Sequence, residues 1–390
     1  MMRAGVMLMK NSAEVVIIGG GVVGCAIAYN LAKMGCKDVV VLEKEYLTSG
    51  ATGRCGAGIR QQWGTEMNCR LSKASMDTFE QLNEMLDYPV DIELKQDGYL
   101  ILAYEEKEIE QFKKNIDLQN RLGIASKLIT PPEAQEIVPH LNPEGLLGAA
   151  FCGRDGHANP FHVTQAYADA ARRLGVKIYT YTECQDIEMK GDKITGVITN
   201  RGRINTDKVV NAAGGYSDLI GNMVGLDLPV YSERHQIMVT EPVNPLQGPM
   251  VISFYHHFYC QQVPHGAFIM GQGDPNEPRG HNIGHSWQFL QELSQKIGRT
   301  FPVLRQLRIV RQWSGLYNMT PDSQPILCEV PEVPGFFLAI GFSGHGFMIA
   351  PMTGTVLAEM ILGKELSMPV EKLDLGRFDR GELVLEPSVV

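Results

Sequence analysis

Three glycines and an acid mark the first place where this chain could do chemistry. Gly19, Gly21 and Gly24 stand in GGGVVG, and Glu43 stands in LEK at the end of the next aliphatic run. In GxGxxG the first glycine permits a tight turn and the second lets backbone approach a pyrophosphate. The third lets a helix pack closely on a strand. Val22 and Val23 open that helix, whose free amides and partial positive charge suit a phosphate. An acid about 20–25 positions past the first glycine can accept hydrogen bonds from a ribose 2′-hydroxyl, with Lys44 beside it. The combination reads as a dinucleotide site for FAD or NAD, because the acid would repel the extra phosphate of NADP.

Further segments bring groups suited to the same ligand. The irregular stretch 46–64 is rich in glycine, serine and threonine, and long ordered loops of this kind usually carry function. It offers the hydroxyls of Thr48, Ser49 and Thr52, the guanidiniums of Arg54 and Arg60, and Cys55, Gly58 and Ile59 between them. Such a set suits a phosphate chain and a flavin ring. A second strand–glycine turn, VVNAAGG, presents Ala212, Ala213 and Gly214. A third junction, GFSGHGFM, presents Gly341, Ser343, Gly344, His345, Gly346, Phe347 and Met348 ahead of another helix. A helix terminus there can face the anionic edge of a reduced flavin. Cys184, Gly315 and Tyr317 complete the candidate cofactor contacts, and His235 and Tyr255 are candidates for the wall of a substrate cavity.

The elements that must hold these groups follow from periodicity. Residues 14–18 and 39–42 read as buried strands flanking a helix from Val22 to Lys33, which Gly35 ends. Residues 69–86 and 105–122 read as helices, and a hairpin is expected over 90–103, turning at Gln96-Asp97-Gly98. His157 reads as a loop residue before a helix over 160–174. Strands follow at 177–181, 184–190 and 193–199. Residues 228–311 alternate as in an antiparallel sheet, with one helix at 286–297 packed on it. The expected fold class is α/β: a Rossmann-like dinucleotide-binding domain with an inserted α+β antiparallel-sheet substrate domain. Three separated segments converging on one ligand make the cofactor domain discontinuous. It takes residues 1–92, 151–228 and 313–390, and the substrate domain takes 93–150 and 229–312.

Composition narrows the function. A net charge of -9 over 390 residues gives no basic footprint for nucleic acid or anionic lipid. No run approaches the roughly 20 apolar residues of a transmembrane segment, and residues 1–14 read as a frayed tail or start-site extension rather than a signal peptide. The eight cysteines form no CxxC, Cys25 and Cys36 read as fillers on the first helix, and a reducing cytoplasm fits best. His256 and His257 would diverge on a strand, so no metal is expected. Residues 385–390 read as a loose tail.

The stretches GGGVVG…LEK, SGATGRCGAGIRQQ, VVNAAGGYSDLIG, TPDSQPIL and GFSGHGFMIAP resemble the D-amino-acid-oxidase-like flavoprotein family, across about residues 12–383. Within it the chain is most similar to sarcosine oxidase β-subunits and to the catalytic β-subunits of two-component, dye-linked L-proline dehydrogenases. The resemblance implies FAD rather than NAD, so that the α/β cofactor domain is a Rossmann-like FAD-binding domain, glutathione-reductase-like. It also implies hydride transfer from the α-carbon of an amino acid to flavin N5. The neutral amine reacts and water hydrolyses the resulting imine. It implies a secondary amine as substrate, with L-proline first, and protein groups that position and desolvate it. Arg60 matches the arginine that holds the substrate carboxylate, a task suited to a guanidinium. His235 and Tyr255 would line the substrate face, and His345 lies among the flavin contacts of Gly344–Met348.

Departures from the family pattern matter equally. Gly315 stands where monomeric sarcosine oxidases attach FAD through a cysteine, and the nearest cysteine, Cys328, lies past the TPD turn, so FAD is expected to be noncovalent. Ile269 stands near the position of an oxygen-activating lysine, and Met348 replaces another lysine that pairs with the carboxylate. Losing these cations argues for a dehydrogenase that passes electrons to a second subunit or acceptor protein, with room for FMN at a subunit interface. The competing readings are a sarcosine or glycine oxidase that makes hydrogen peroxide, and a partner-dependent electron-transfer subunit.

Overall fold

The elements that position the site are strand β1 (Val15–Ile18), helix α1 (Val22–Lys33), strand β2 (Val39–Leu42) and helix α2 (Glu66–Phe79). They are joined by strands β3 (Val209–Asn211), β4 (Tyr231–Thr240), β5 (Ile309–Met319) and β6 (Phe336–Ile340), and helix α3 (Gly346–Ile361). A computed structural model describes residues 9–387. In β1 the four aliphatic side chains are all buried, and they alternate between two hydrophobic clusters. Val15 and Ile17 pack on one side, Val16 and Ile18 on the other. That is how a strand covered on both faces behaves.

β1 pairs in parallel with β2 on one side and β3 on the other, and β6 pairs in parallel with β3. Lys177–Tyr179 and Ile326–Glu329 complete this six-stranded sheet at its edges. Helices α1, α2 and α3 pack into one cluster against it, and the three-stranded antiparallel sheet of 184–205 packs on the opposite face. The substrate side is a separate eight-stranded sheet in which β4 and β5 form one edge. β4 and β5 pair antiparallel along nearly their whole lengths. The two sheets meet along the carboxyl ends of β1, β2, β3 and β6, the usual ligand position in open parallel sheets.

Several expected elements differ. No hairpin forms over 90–103: Tyr99–Ala103 pairs with Met250–Ser253 and Gly148–Cys152, and Lys95 bridges His157. Long-range pairing overrides the local turn. His157 is itself on a short buried strand with Gly156. The helix expected over 69–86 breaks after Phe79, because Gln81 leaves helical geometry and Leu82 swings into the core. Cys25 is on α1, but Cys36 lies beyond its end, still buried. His256 and His257 lie in a turn between two strands rather than on one.

Both chain ends are better anchored than expected where they are described. Ser12 bridges Asn205 and Ala13 is buried, whereas residues 1–8 of the expected frayed opening and residues 388–390 of the expected loose tail lie outside the described residues. The expected domain cuts at 150/151 and 312/313 fall inside Gly148–Cys152 and β5. Among the described residues no helix is long and apolar enough to cross a membrane, and no cluster of histidine, cysteine or acidic groups could hold a metal.

Candidate active site

A cavity of about 1390 Å³, counting its open mouth, runs along the meeting of the two sheets. Its walls begin with the turn after β1. Gly19 has φ 121°, and a Cβ there would lie 2.7 Å from the carbonyl carbon of Ala212 and nearer still to its oxygen. Only glycine lets the β1 and β3 turns approach so closely. Gly24 does not line the cavity: a Cβ on it would strike the carbonyl oxygen of Gly19, the helix–strand packing expected of the third glycine. The Val22 amide, in the first turn of α1, reaches the Thr52 hydroxyl at 3.2 Å, and Gly21, Val22, Val23 and Thr52 all line the cavity.

Glu43 sits at the end of β2 with its carboxylate directed by backbone. It accepts from the Gly20 and Glu45 amides, each at 2.8 Å, and from the Ser49 hydroxyl at 3.2 Å. Lys44 stands 3.3 Å over the ring of Tyr216, and both line the same end of the cavity. Arg54 is braced across the sheets: Nε donates to Ser49 O at 2.9 Å and Nη1 donates to Ser314 O at 3.0 Å. Ala212, Ala213 and Gly214 line the wall after β3, and Gly315 and Tyr317 line it from β5. Ser343, Gly344, Gly346 and Phe347 close it at the start of α3, whose N-terminus has no side-chain cap. Asn318 is buried in this wall and its Nδ2 has no partner.

A long cavity with helix N-termini at both ends, a glycine-only approach of two turns and an unpaired buried amide fits FAD well. Gly19, Glu43 and the α1 terminus would hold its ribose and phosphates, and Tyr317, Gly344 and Phe347 would hold the ring. Cys55 lines the cavity, and burial raises its thiol to about 11.

The second cavity, about 670 Å³, shares Cys55, Tyr259, Tyr317, Ser343, Gly344 and Phe347 with the first, so the two are continuous. Arg60 reaches it at only 4% exposure, its guanidinium 4.0 Å over the ring of Trp63. Nη1 donates to Gln62 O at 3.2 Å. Burial lowers its pKa, opposed by Tyr99, Glu386 and Asp155; a guanidinium nevertheless stays protonated. The remaining walls include Tyr99, Met250, Ile252 and Met348, so a single cation sits in a mainly apolar cage. His345 stands edge-on to Trp63, with both ring nitrogens buried and unpartnered. Burial first, then the charge of Arg60, lowers it to about 3, so it is neutral.

His235 lines the first cavity, stacked 4.2 Å from Tyr317 and 5.9 Å from Tyr259 in nearly parallel planes. Burial lowers it to about 4, and its Nε2 has no partner. It is a neutral wall group beside Tyr317.

Other expected site residues stand elsewhere. Tyr255 lines neither cavity; it is 47% exposed on the 254–257 turn, against Tyr104 and His256. Cys184 lines neither, because its thiol turns to Asp186 O and the Met223 sulfur. Ile59 is wholly in the core, although Gly58 lines the second cavity. Gly341 supports the site from outside, donating its amide to Asn318 Oδ1 at 2.7 Å. Ile269 packs on the buried cluster that includes Ile237 and Tyr259 and lines neither cavity. Sequence reasoning missed Trp63, Tyr99, Tyr216, Tyr259 and Asn318. Trp63, three residues past Arg60, was visible in principle. Tyr216 and Asn318 follow closely on the expected Gly214 and Tyr317 and were visible in the same way, whereas Tyr99 and Tyr259 reach the site through long-range strand pairing.

Comparison with known proteins agrees with this geometry. The family DAO, described as FAD dependent oxidoreductase, matches residues 14–360. The sarcosine oxidase subunit beta of Rhodobacter capsulatus is 31% identical, covering 97% of this chain and 91% of that protein. The L-proline dehydrogenase of P. horikoshii superposes with TM-score 0.91 at 41% identity, covering 96% of this chain and all of that one. The glycine oxidase of Geobacillus kaustophilus superposes with TM-score 0.86 at 28% identity, covering 94% and 99%. Fold, cavity and relatives agree that the chain belongs to the DAO family and is an FAD-dependent amino-acid oxidoreductase.

Proposed function

We propose that this protein is a dehydrogenase that oxidises L-proline to its cyclic imine and delivers the electrons to an acceptor other than oxygen. The observation that carries the reading is Arg60: one buried cation over Trp63, in a cage otherwise lined largely by apolar groups and open to the cofactor cavity. A guanidinium there can take an α-carboxylate in a bidentate pair, which leaves the substrate ring against Met250, Ile252 and Met348. FAD, when bound, supplies the hydride acceptor. The chain's own task is to orient the α-carbon toward the shared boundary of the two cavities and to exclude water. Neutral His345 and His235 add no competing charge.

The acceptor assignment is supported by the cations present. Among the described residues the lysine and arginine side chains lining the cavities are Lys44, Arg54 and Arg60, and none of the residues shared by the two cavities is a lysine. The 41% identity with an L-proline dehydrogenase supports the substrate. A thiol, not a thiolate, at Cys55 and glycine at 315 support noncovalent FAD. The relatives named as beta subunits support a second subunit, and FMN at that interface belongs to the same proposal. Eight unpaired cysteines support a reducing compartment.

The test compares acceptors. With L-proline, an artificial dye is expected to support rapid turnover and air little peroxide. Equal or faster turnover in air with sarcosine or glycine makes the protein an oxidase. No turnover by the purified chain until a partner is added makes it a dependent subunit.

A further inference from the structure

The turn that carries Arg60 has no regular structure between Ile59 and Glu66, so something else must fix it. Two carboxylates from distant parts of the chain do so. Asp155, fully buried, accepts from the Gln61 amide at 2.9 Å and from the side-chain amides of Gln61 and Gln62 at 3.0 Å each. At the other end Glu386, only 7% exposed, accepts from the Gly64 amide at 2.7 Å, the Thr65 hydroxyl at 2.8 Å and Asn68 Nδ2 at 2.9 Å. Bonds to an ionised carboxylate are about twice as strong as neutral ones. Thr65 is the N-cap of α2 but caps nothing with its own side chain, so Glu386 also places the negative charge that this helix end favours.

Between the clamps the segment is tied to itself and to Gln119. The Trp63 indole donates to Arg60 O at 3.1 Å, and Trp63 O accepts from Gln119 Nε2 at 2.7 Å. The Pro387 ring lies against Gly64, where an added Cβ would collide with it. Neither Asp155 nor Glu386 lines a cavity. Both charges oppose the effect of burial on Arg60.

We propose that Glu386 is a positioning residue for the substrate carboxylate: the C-terminal segment straps the Gly64–Asn68 corner and so holds Trp63 and Arg60 in register with the second cavity. The inference rests on the reading of Arg60 as the carboxylate anchor. Without Glu386 the corner loses all three bonds, and the guanidinium loses its fixed support without leaving the cavity.

The experiment uses FAD-loaded full-length protein with Glu386→Ala, Glu386→Gln, Arg60→Met and the double variant Glu386→Ala/Arg60→Met. Glu386→Ala should raise the KM for L-proline about tenfold, the order of one set of charge-assisted hydrogen bonds, with kcat changed less than about twofold. Glu386→Gln, which keeps one acceptor oxygen, should recover part of that loss. In the Arg60→Met background the Glu386→Ala change should add less than about twofold, because the two act through one interaction. If Arg60→Met weakens L-proline but Glu386→Ala lowers only the melting temperature, or lowers kcat with KM unchanged, the strap is structural and the inference fails. If Arg60→Met leaves KM unchanged, the anchor reading itself fails, and the inference built on it falls for that separate reason.

Discussion

Gly19→Ala probes the cofactor cradle most sharply, because its cost can be worked from two separate causes. At φ 121° a Cβ carries backbone strain of about 1–2 kcal/mol. That Cβ would also lie 2.7 Å from the Ala212 carbonyl carbon. The turns cannot separate freely, since Gly19 N donates to Leu42 O and Ala212 N donates to Ile18 O, each at 2.9 Å. Stretching those two bonds costs about 1 kcal/mol apiece. The strain lowers stability in the free and the FAD-bound protein alike, so the share that reaches FAD is the displacement of the two turns, about 2 kcal/mol or between one and two decades of affinity. Gly35→Ala is the control: its φ is 110°, but nothing lies within 4 Å of a Cβ there. It should lower stability by about 1–2 kcal/mol and leave FAD binding unchanged. Titration of apoprotein with FAD, followed by flavin fluorescence, reads both variants. An FAD Kd for Gly19→Ala within about threefold of wild type would refute the argument that the two turns form the phosphate cradle.

Other consequences are independent of the cradle. His235 and His345 have native pKa values near 4 and 3, below the ordinary 6.5, so the unfolded chain binds more protons between those limits. Stability is therefore full above about pH 7 and falls on acidification, by up to roughly 2 kcal/mol per histidine at pH 5. Urea unfolding across pH should show this slope, and His345→Gln should remove its share. Arg377 and Asp322 form a fully buried pair at 2.8 Å, with Arg377 also reaching Gln324 O. Arg377→Met strands a buried carboxylate and should cost about 3–5 kcal/mol, whereas Arg377→Met with Asp322→Leu should cost less than the single change. Thr52→Val removes the acceptor of the Val22 amide and should weaken FAD by about 1 kcal/mol without changing the KM for substrate.

The parallel core was legible because its physics is local. Four aliphatics, a glycine turn and an apolar helix in succession leave few alternatives, and β1, α1 and β2 lie where periodicity puts them. Many of the glycine-turn residues named from sequence, such as Gly19, Ala213 and Gly344, line the cavity because a short turn leaves its backbone exposed at a strand end, whereas Gly24 and Gly341 pack behind it. Side-chain direction was not legible. Tyr255 belongs to a conspicuous aromatic run, but the run bends at 254–257 and turns Tyr255 to solvent. Cys184 opens the expected strand, yet its partner is Met223 on another element. The hairpin at Gly98 failed because Tyr99–Ala103 finds its partners some 50 and 150 residues away, a pairing that no local pattern encodes. The tail at 385–390 reads as loose because the partners of Glu386, at Gly64–Asn68, lie over 300 residues upstream, where no local pattern shows them.

The central claim is that the two joined cavities bind FAD and an amino acid held by Arg60. Anaerobic mixing of the FAD-loaded protein with L-proline, sarcosine, glycine and D-alanine in a stopped-flow spectrometer tests it directly. The account predicts that L-proline bleaches the flavin, that Arg60→Met needs far more L-proline to do so, and that air restores the colour slowly. Bleaching by sarcosine or glycine alone, with rapid recovery in air, would contradict the assigned substrate and acceptor. Bound FAD that none of the four bleaches would contradict the claim that this chain carries the substrate site.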